Sequence, residues 1–480
     1  MAAFTENGAL SLASTGSPHV DFFFKVLRNS SVVSIHSHLE KAWTVNPKWT
    51  LILIFYLRDC RGGKGERKAF IECYKWLIEK DIAIASANIK NIVFFGRYKD
   101  LFEFMGTKLE SHILDYYATQ LNRDLSIFHS NNASSISLAA KWAPSEGSAL
   151  DKKYHCAKHL SKRMGMDLRA YRKMLAELRA YLSIVEVAMC DRQWDSITYS
   201  KVASYAMKKY RKAFMKHDES RFRQFLHDVT EGKASIKAKQ LFPHEIINAY
   251  KKTLVTDDVL EAQWNELIKN INPTSNSLVL CDVSGSMGSP IPGSKSAQNI
   301  DVSIALSLIL ADKCQGTFHN KVITFEEIPR LVNITGESLR DKMDCVKSLP
   351  WGGNTNLQAA FDLILNAALM YNTPQEHMPQ TLWIVSDMQF DFACCQKTNY
   401  HLIEEKYRKA GYKRPRVIFW NVAGDTLEFP AYAHDPNTNL VSGFSHSVMQ
   451  LCSQGELISP YQLMLKVIKN PRYECILFKE

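Results

Sequence analysis

The 480-residue sequence has no uninterrupted apolar run of about 18 residues, so no segment reads as a membrane-spanning helix. Its opening stretch, MAAFTENGALSLASTGSPHVDFFF, lacks a basic region followed by an apolar one and does not read as a secretory signal. Residues 1–20 are expected to be a short disordered tail rich in Ser, Gly and Ala. A CxxC pair is also missing; Cys394 and Cys395 are the close pair, and adjacent thiols chelate one ion poorly. The eleven cysteines, mostly set in apolar stretches such as LVLCD and LADKC, therefore read as buried free thiols of a reducing, cytoplasmic compartment.

Proline is scarce in the first half: after Pro18 only Pro47, Pro144 and Pro243 precede Pro273. Strand-like alternation is missing there too. Apolar residues instead recur at helical spacing in TLILIFYLRD, KAFIECYKWLIEK, SHILDYYATQLNRDL, DLRAYRKMLAELRAYLSIVEVAMC, SKVASYAMKKYRKAFMKHD and SRFRQFLHDVTEG. Paired helices stacked into a solenoid are the natural architecture for such a string, although no clean repeat period is visible. Near Asn272-Pro273-Thr274 the pattern changes. NSLVLCD, KVITF, IPRLVNI, TLWIVSD and RVIFWNV are short apolar runs alternating with helical ones, followed by terminal helices. Such alternation predicts a mainly parallel, doubly wound sheet buried on both faces, with KVITF and IPRLVNI as an antiparallel edge hairpin. Ligands of such sheets sit at the carboxyl ends of the strands.

The net charge of +10 is unevenly placed: residues 151–240 hold 21 Lys and Arg against 10 Asp and Glu, and the rest of the chain sums to −1. A local excess of this kind suggests a surface that faces a polyanion.

Two patterns carry chemistry. In LCDVSGSMG a carboxylate and two hydroxyls stand at i, i+2 and i+4 directly after the first apolar strand, as Asp282, Ser284 and Ser286. A hard cation such as Mg2+ needs several oxygen ligands at about 2.1 Å. A tight loop at a strand end can turn alternate side chains to one point, with Asp282 binding directly or through water, and Gly285 and Gly288 giving backbone freedom. WGGNTNLQAA adds Thr355 after a glycine pair, and IVSDMQFD adds Asp387 at a strand end, with Asp391 as its competitor. The second pattern is LRDCRGGKGERKAF, where Arg58, Arg61, Lys64, Arg67 and Lys68 crowd around three glycines. A basic glycine-rich turn between helices suits phosphate, but pairing of Arg and Glu across a helix hairpin accounts for it as well. It lacks the GxxxxGK[ST] spacing of a Walker loop. Lys208, Lys209, Arg211, Lys212 and Lys216 form a further basic run, either a nucleic-acid face or a solvated helix. Phe95, Tyr98 and Trp142 are base-stacking candidates or core.

The DxSxS motif with a distant Thr and Asp resembles the von Willebrand A family, and the resemblance implies a metal-ion-dependent adhesion site on Asp282, Ser284, Ser286, Thr355 and Asp387. Together with RGGKGER, FGRYKDL, KWAPSE and SDMQFD the chain looks like the TROVE–von Willebrand A proteins, which include the Ro RNA-binding proteins, and is closer still to a sister family of plants and large DNA viruses. The resemblance implies an all-α, HEAT-like helical domain over 21–270, a von Willebrand A domain over 275–480, bound Mg2+ or another divalent cation, and RNA on the basic surfaces. The expected function is a non-enzymatic, RNA-binding ribonucleoprotein component without membrane contact. The alternative is a protein-interaction scaffold that captures an acidic partner residue through the metal.

Overall fold

The computed structural model describes residues 2–4, 10–130, 135–253, 255–269, 271–272, 274, 276–325, 328–349, 356–390, 399–424, 429–453 and 458–478. Its N-terminal half is helical and its C-terminal half carries a mixed, mostly parallel sheet.

The sequence intervals read as helical form helices, among them Pro47–Arg58, Arg67–Lys80, Glu110–His129, Leu168–Tyr181, Ser204–His217 and Glu219–Thr230. Local chemistry sets their ends. Asn46 accepts the amide of Trp49 and precedes a proline at the first helical position, so Pro47–Arg58 starts there. DLRAYRKMLAELRAYLSIVEVAMC, read as one helix, is two: Ser183 takes a left-handed φ of 49° and divides Leu168–Tyr181 from Val185–Cys190.

The opening residues depart from the expected disordered tail. β1 (Ala2–Phe4) and β2 (Leu10–Leu12) form an antiparallel ladder, and Leu12 exchanges backbone hydrogen bonds of 3.0 and 2.8 Å with Phe429. Thr15 donates its hydroxyl to Asp21 at 2.5 Å and its amide at 2.9 Å, which ties this segment to the helix Pro18–Lys25.

Among the described residues the sheet has six strands: β3 (Ser277–Cys281), β4 (Lys321–Thr324), β5 (Leu331–Asn333), β6 (Thr381–Ser386), β7 (Arg416–Asn421) and β8 (Thr438–Ser442). Their order is β5-β4-β3-β6-β7-β8, all parallel except the β4–β5 edge hairpin. Every residue of β3, β6, β7 and β8 is buried, the pattern of strands covered on both faces. β8 lies where the sequence suggested only terminal helices; TNLVS is short and opens with polar residues, and pairing with β7 makes it a strand. The helix Asn299–Lys313 is buried from Asn299 through Ala311 and packs on β3 and β6.

The halves do not have separate cores. One continuous apolar cluster runs from the N-terminal helices into the sheet, and the helix Pro18–Lys25 packs against β8 and the helix Pro460–Ile468. A smaller second cluster around Tyr199, Met207, Phe214 and Phe222 organises a lobe between Val185 and Val259. The C-terminal residues then lock onto the first helices. Arg472 reaches the buried Asp59 with bonds of 2.5 and 2.8 Å, Tyr473 donates its hydroxyl to the same carboxylate, and Asn88 and Asn91 bond the backbone of Leu477 and Cys475.

Asp59 is fully buried while Arg472 is partly exposed, so removing Arg472 strands a buried charge that keeps the Tyr473 hydroxyl as its donor. Arg472→Met should therefore lower the midpoint of urea unfolding markedly, and the double variant Asp59→Asn/Arg472→Met should lose less than the two single variants together. Strict additivity in that cycle would show that the pair is not coupled.

Candidate metal centre and basic surfaces

β3 and β6 are adjacent and parallel, with Cys281 opposite Val385. The strand order reverses between them: the chain leaves β3 for β4 on one side and later returns to β6 on the other. A crevice at the carboxyl ends of such strands is where ligands of this sheet type bind. Asp282 directly follows β3 and Asp387 directly follows β6, so the sheet register alone brings the two carboxylates to one end.

Both are buried, Asp282 completely and Asp387 to 4% exposure. Asp282 accepts the Ser386 hydroxyl at 2.5 Å on one oxygen and the Ser284 amide at 2.9 Å on the other. The Ser284 and Ser286 hydroxyls stand 3.1 Å apart. Asp387 accepts the amide of Gln389 at 3.2 Å across a turn in which Met388 takes φ 69°. Burial first and the neighbouring Asp387 second push the Asp282 carboxyl well above the ordinary carboxylate range, against the donors from Ser386 and Ser284. Two crowded, desolvated carboxylates with hydroxyls beside them form an oxygen donor set whose strain a divalent cation would relieve. Among the described residues no group of three or more His, Cys, Asp or Glu side chains offers a metal site; a cation here would rest on two carboxylates and hydroxyls, which suits a hard ion.

The loop opens outward. Asp282 and Ser284 are buried while Gly285 and Ser286 are exposed. The glycines contribute space more than strain: neither Gly285 nor Gly288 has a positive φ, and a Cβ on either would meet nothing within 4 Å. Thr355 and Asp391 lie outside the described residues. Ser386, which holds Asp282, drew no attention in the sequence, although its place beside Asp387 at the strand end was the available signal.

The basic turn is a structural junction. Arg58 and Arg67 both bind the buried Asp100, at 2.5 and 2.7 Å, Arg97 joins at 3.3 Å, and Arg67 also reaches Glu103. RGGKGER and FGRYKDL are thus two sides of one ion-pair network. Lys64 is wholly buried and donates to the Phe23 carbonyl and, at 2.7 Å, to the Ser442 hydroxyl at the end of β8. Arg58 and Lys64 are spent inside the fold, which removes them from direct contact with a polyanion outside, whereas Arg67 is half-buried with its guanidinium held by Asp100 and Glu103. Arg61 and Lys68 are exposed, with Arg61 donating to the Phe94 carbonyl.

The second basic run divides in the same way. Lys208 pairs with Glu245 at 3.4 Å and Arg211 with Asp257 at 2.7 Å, whereas Lys209, Lys212 and Lys216 are exposed. Of the aromatics, Phe95 is buried and stacked on Tyr473, Tyr98 meets Tyr117 edge-on, and half-buried Trp142 stands beside Arg97, Lys99 and Lys141. The nine cysteines among the described residues are unpaired, and no helix there is long and apolar enough to cross a membrane.

Residues 276–464 match a family model described as a domain of unknown function (DUF7788), and residues 5–116 and 107–276 match one described as a domain of unknown function (DUF2828). A protein of Acanthamoeba polyphaga mimivirus, named uncharacterized protein L728, is 30% identical over 507 aligned residues, which take in 97% of this chain and 87% of the viral one.

Burial lowers the Lys64 ammonium from 10.5 to about 7, against the pull of Glu66. Between those values the unfolded chain holds a proton that the folded chain does not, so the contribution of Lys64 to stability rises with pH across that interval and is at its least below about 7. Urea unfolding of wild type and Lys64→Met across the interval should show the wild type gaining on the variant as pH rises. A pH-independent difference would mean that Lys64 stays charged in the fold.

Proposed function

This chain belongs to the family defined by the domain of unknown function DUF2828, and we propose that it is a non-enzymatic RNA-binding protein built on a divalent-cation-dependent binding module. In this reading the C-terminal half is a von Willebrand A-type domain that holds Mg2+, or another divalent cation, on Asp282, Ser284, Ser286, Thr355 and Asp387. The helical half is its TROVE-like, HEAT-like companion. The unpaired thiols fit a cytoplasmic setting.

The observation that carries the RNA part is the sorting of charge on the helix Ser204–His217. Lys208 and Arg211 turn inward to carboxylates, while Lys209, Lys212 and Lys216 stand at i, i+3 and i+7, on one exposed face. Exposed Lys201, Lys233, Lys237 and Lys239 extend the basic surface of the same lobe. A stripe of exposed ammonium groups suits a phosphate backbone, because each phosphate neutralised releases counterions. The scaffold reading draws on the other site: exposed Ser286 and the open space over Gly285 and Gly288 leave room for an acidic side chain of a partner protein to complete the cation's shell.

Salt-titrated binding of short single-stranded and hairpin RNAs tests the first part. Changing Lys209, Lys212 and Lys216 to Glu should weaken binding across all sequences and flatten the log–log salt slope by about 0.7 for each single-strand phosphate no longer neutralised. Absence of RNA binding by the wild type near physiological salt would leave the scaffold reading. For the cation, Mg2+ at about 100 times its dissociation constant should stabilise the wild type by about 2.7 kcal/mol in thermal unfolding. Asp282→Asn should abolish that response; an equal response in the variant would place the ion elsewhere.

A further inference from the structure

A cavity of about 190 Å³ opens where the basic turn meets the helix Arg67–Lys80, lined by Arg28, Gly65, Arg67, Lys68, Phe242 and Pro292. Three of its walls, Arg28, Phe242 and Pro292, were not candidates in the sequence. We propose that this cavity is a binding site for a phosphate group. It is smaller than the roughly 300 Å³ at which ordinary small-molecule pockets begin, so it fits a phosphoryl head and not a whole nucleotide.

Charge supports the assignment. Arg28 is matched by Glu66, which takes its side chain at 2.7 and 2.9 Å. Among the described residues Arg58, Arg67 and Arg97 share the two carboxylates of Asp100 and Glu103, and the exposed Lys68 has no ion pair. The walls therefore carry an excess of positive charge. The guanidinium of Arg28 is held between the rings of Phe242 and Phe444, at 4.7 and 4.4 Å, and so is fixed before any ligand arrives. The backbone points the same way. Glu66 stands at the start of a 14-residue helix but turns its carboxylate to Arg28 and does not cap. The Arg67 and Phe70 amides bond to Gly65 and Glu66, while those of Lys68 and Ala69 meet no acceptor among the described residues. Gly65 lines the cavity at φ 68°, where a Cβ would lie 2.9 Å from the Phe242 ring; a side chain there would close the space.

The site stands without the RNA reading, and where the phosphate is an RNA terminus it deepens that reading. The full-length protein would be titrated calorimetrically at low ionic strength with inorganic phosphate and pyrophosphate, beside Lys68→Ala, Lys68→Glu and the control Lys413→Glu, an exposed lysine just before the amino end of β7. Saturable binding that Lys68→Glu weakens by about tenfold or more, with Lys68→Ala intermediate and the control unchanged, is the expected result. Matched oligoribonucleotides with 5′-phosphoryl and 5′-hydroxyl ends separate the sources. A 5′-phosphoryl preference lost in Lys68→Glu assigns an RNA end, and equal affinity with phosphate binding intact assigns a free or nucleotide phosphate. No saturable phosphate binding, or the same affinity in wild type and Lys68→Glu, overturns the site. Failure of the RNA reading would appear separately, as loss of both oligonucleotides with phosphate retained.

Discussion

Asp100 is a fully buried carboxylate that three guanidiniums share, and the junction of the molecule is arranged around it. Burial alone would raise its pKa, but Arg58 and Arg67 hold it below the ordinary carboxylate range. Around this centre the turn from Arg58 to Arg67 sends out one tie after another. Asp59 goes to Arg472 near the C-terminus, Lys64 to Phe23 and to Ser442 at the end of β8, and Glu66 to Arg28. A buried charge without its partner is far costlier than an apolar substitute, so each tie specifies its own geometry. The glycines follow from the same crowding. A Cβ at Gly63 would lie 2.3 Å from the Tyr56 carbonyl, and one at Gly96 would lie 2.5 Å from the Asp100 carboxylate. The helical half, β8 and the C-terminal tail meet at this turn, beside the one apolar core that the two halves share.

That arrangement explains why some features were legible in the sequence and others were not. RGGKGER stood out as unusual, and its two readings, phosphate binding and internal Arg–Glu pairing, were both open. The partners that decide between them are remote in sequence: Asp100 lies beyond three intervening helices, and Arg472 is 413 positions from Asp59. Composition registers a cation whether it is buried or exposed. Helical periodicity fared better because it is local, and so did the apolar runs that became β3, β6 and β7. β8 failed the same test, since TNLVS has neither the length nor the apolarity of a lone strand and owes its burial to β7 and to the helix Pro18–Lys25. The break at Ser183 depends on one backbone angle within a continuous helical pattern.

The candidate cation site was legible for a different reason. DxSxS is a local pattern at a strand end, and one further carboxylate at the end of another strand completes the pair if the two strands are neighbours. Parallel pairing of β3 with β6 supplies that condition, and the residues following Cys281 and Val385 converge without tertiary coincidence. Ser386 shows the limit of such a reading. Its hydroxyl fixes Asp282, yet its type is common in the chain, and the mark it carries is its place beside Asp387 at the end of an apolar run.

The basic surfaces resolve by the geometry of a helix. Along Ser204–His217 every third or fourth residue returns to the same side. Positions 208 and 211 fall on the side that faces Glu245 and Asp257, and the lysines one place further along fall on the other. A count over residues 151–240 merges those sides into one excess of charge. What a polyanion would meet is the part that internal pairing leaves over: the outward stripe of Lys209, Lys212 and Lys216 on the small lobe, and the surplus around Lys68 at the junction. The two differ in kind. The stripe is open and repetitive, suited to tracking a backbone with little selectivity, whereas the cavity at Lys68 is narrow and built on a guanidinium already fixed between two rings, which favours a single phosphoryl group.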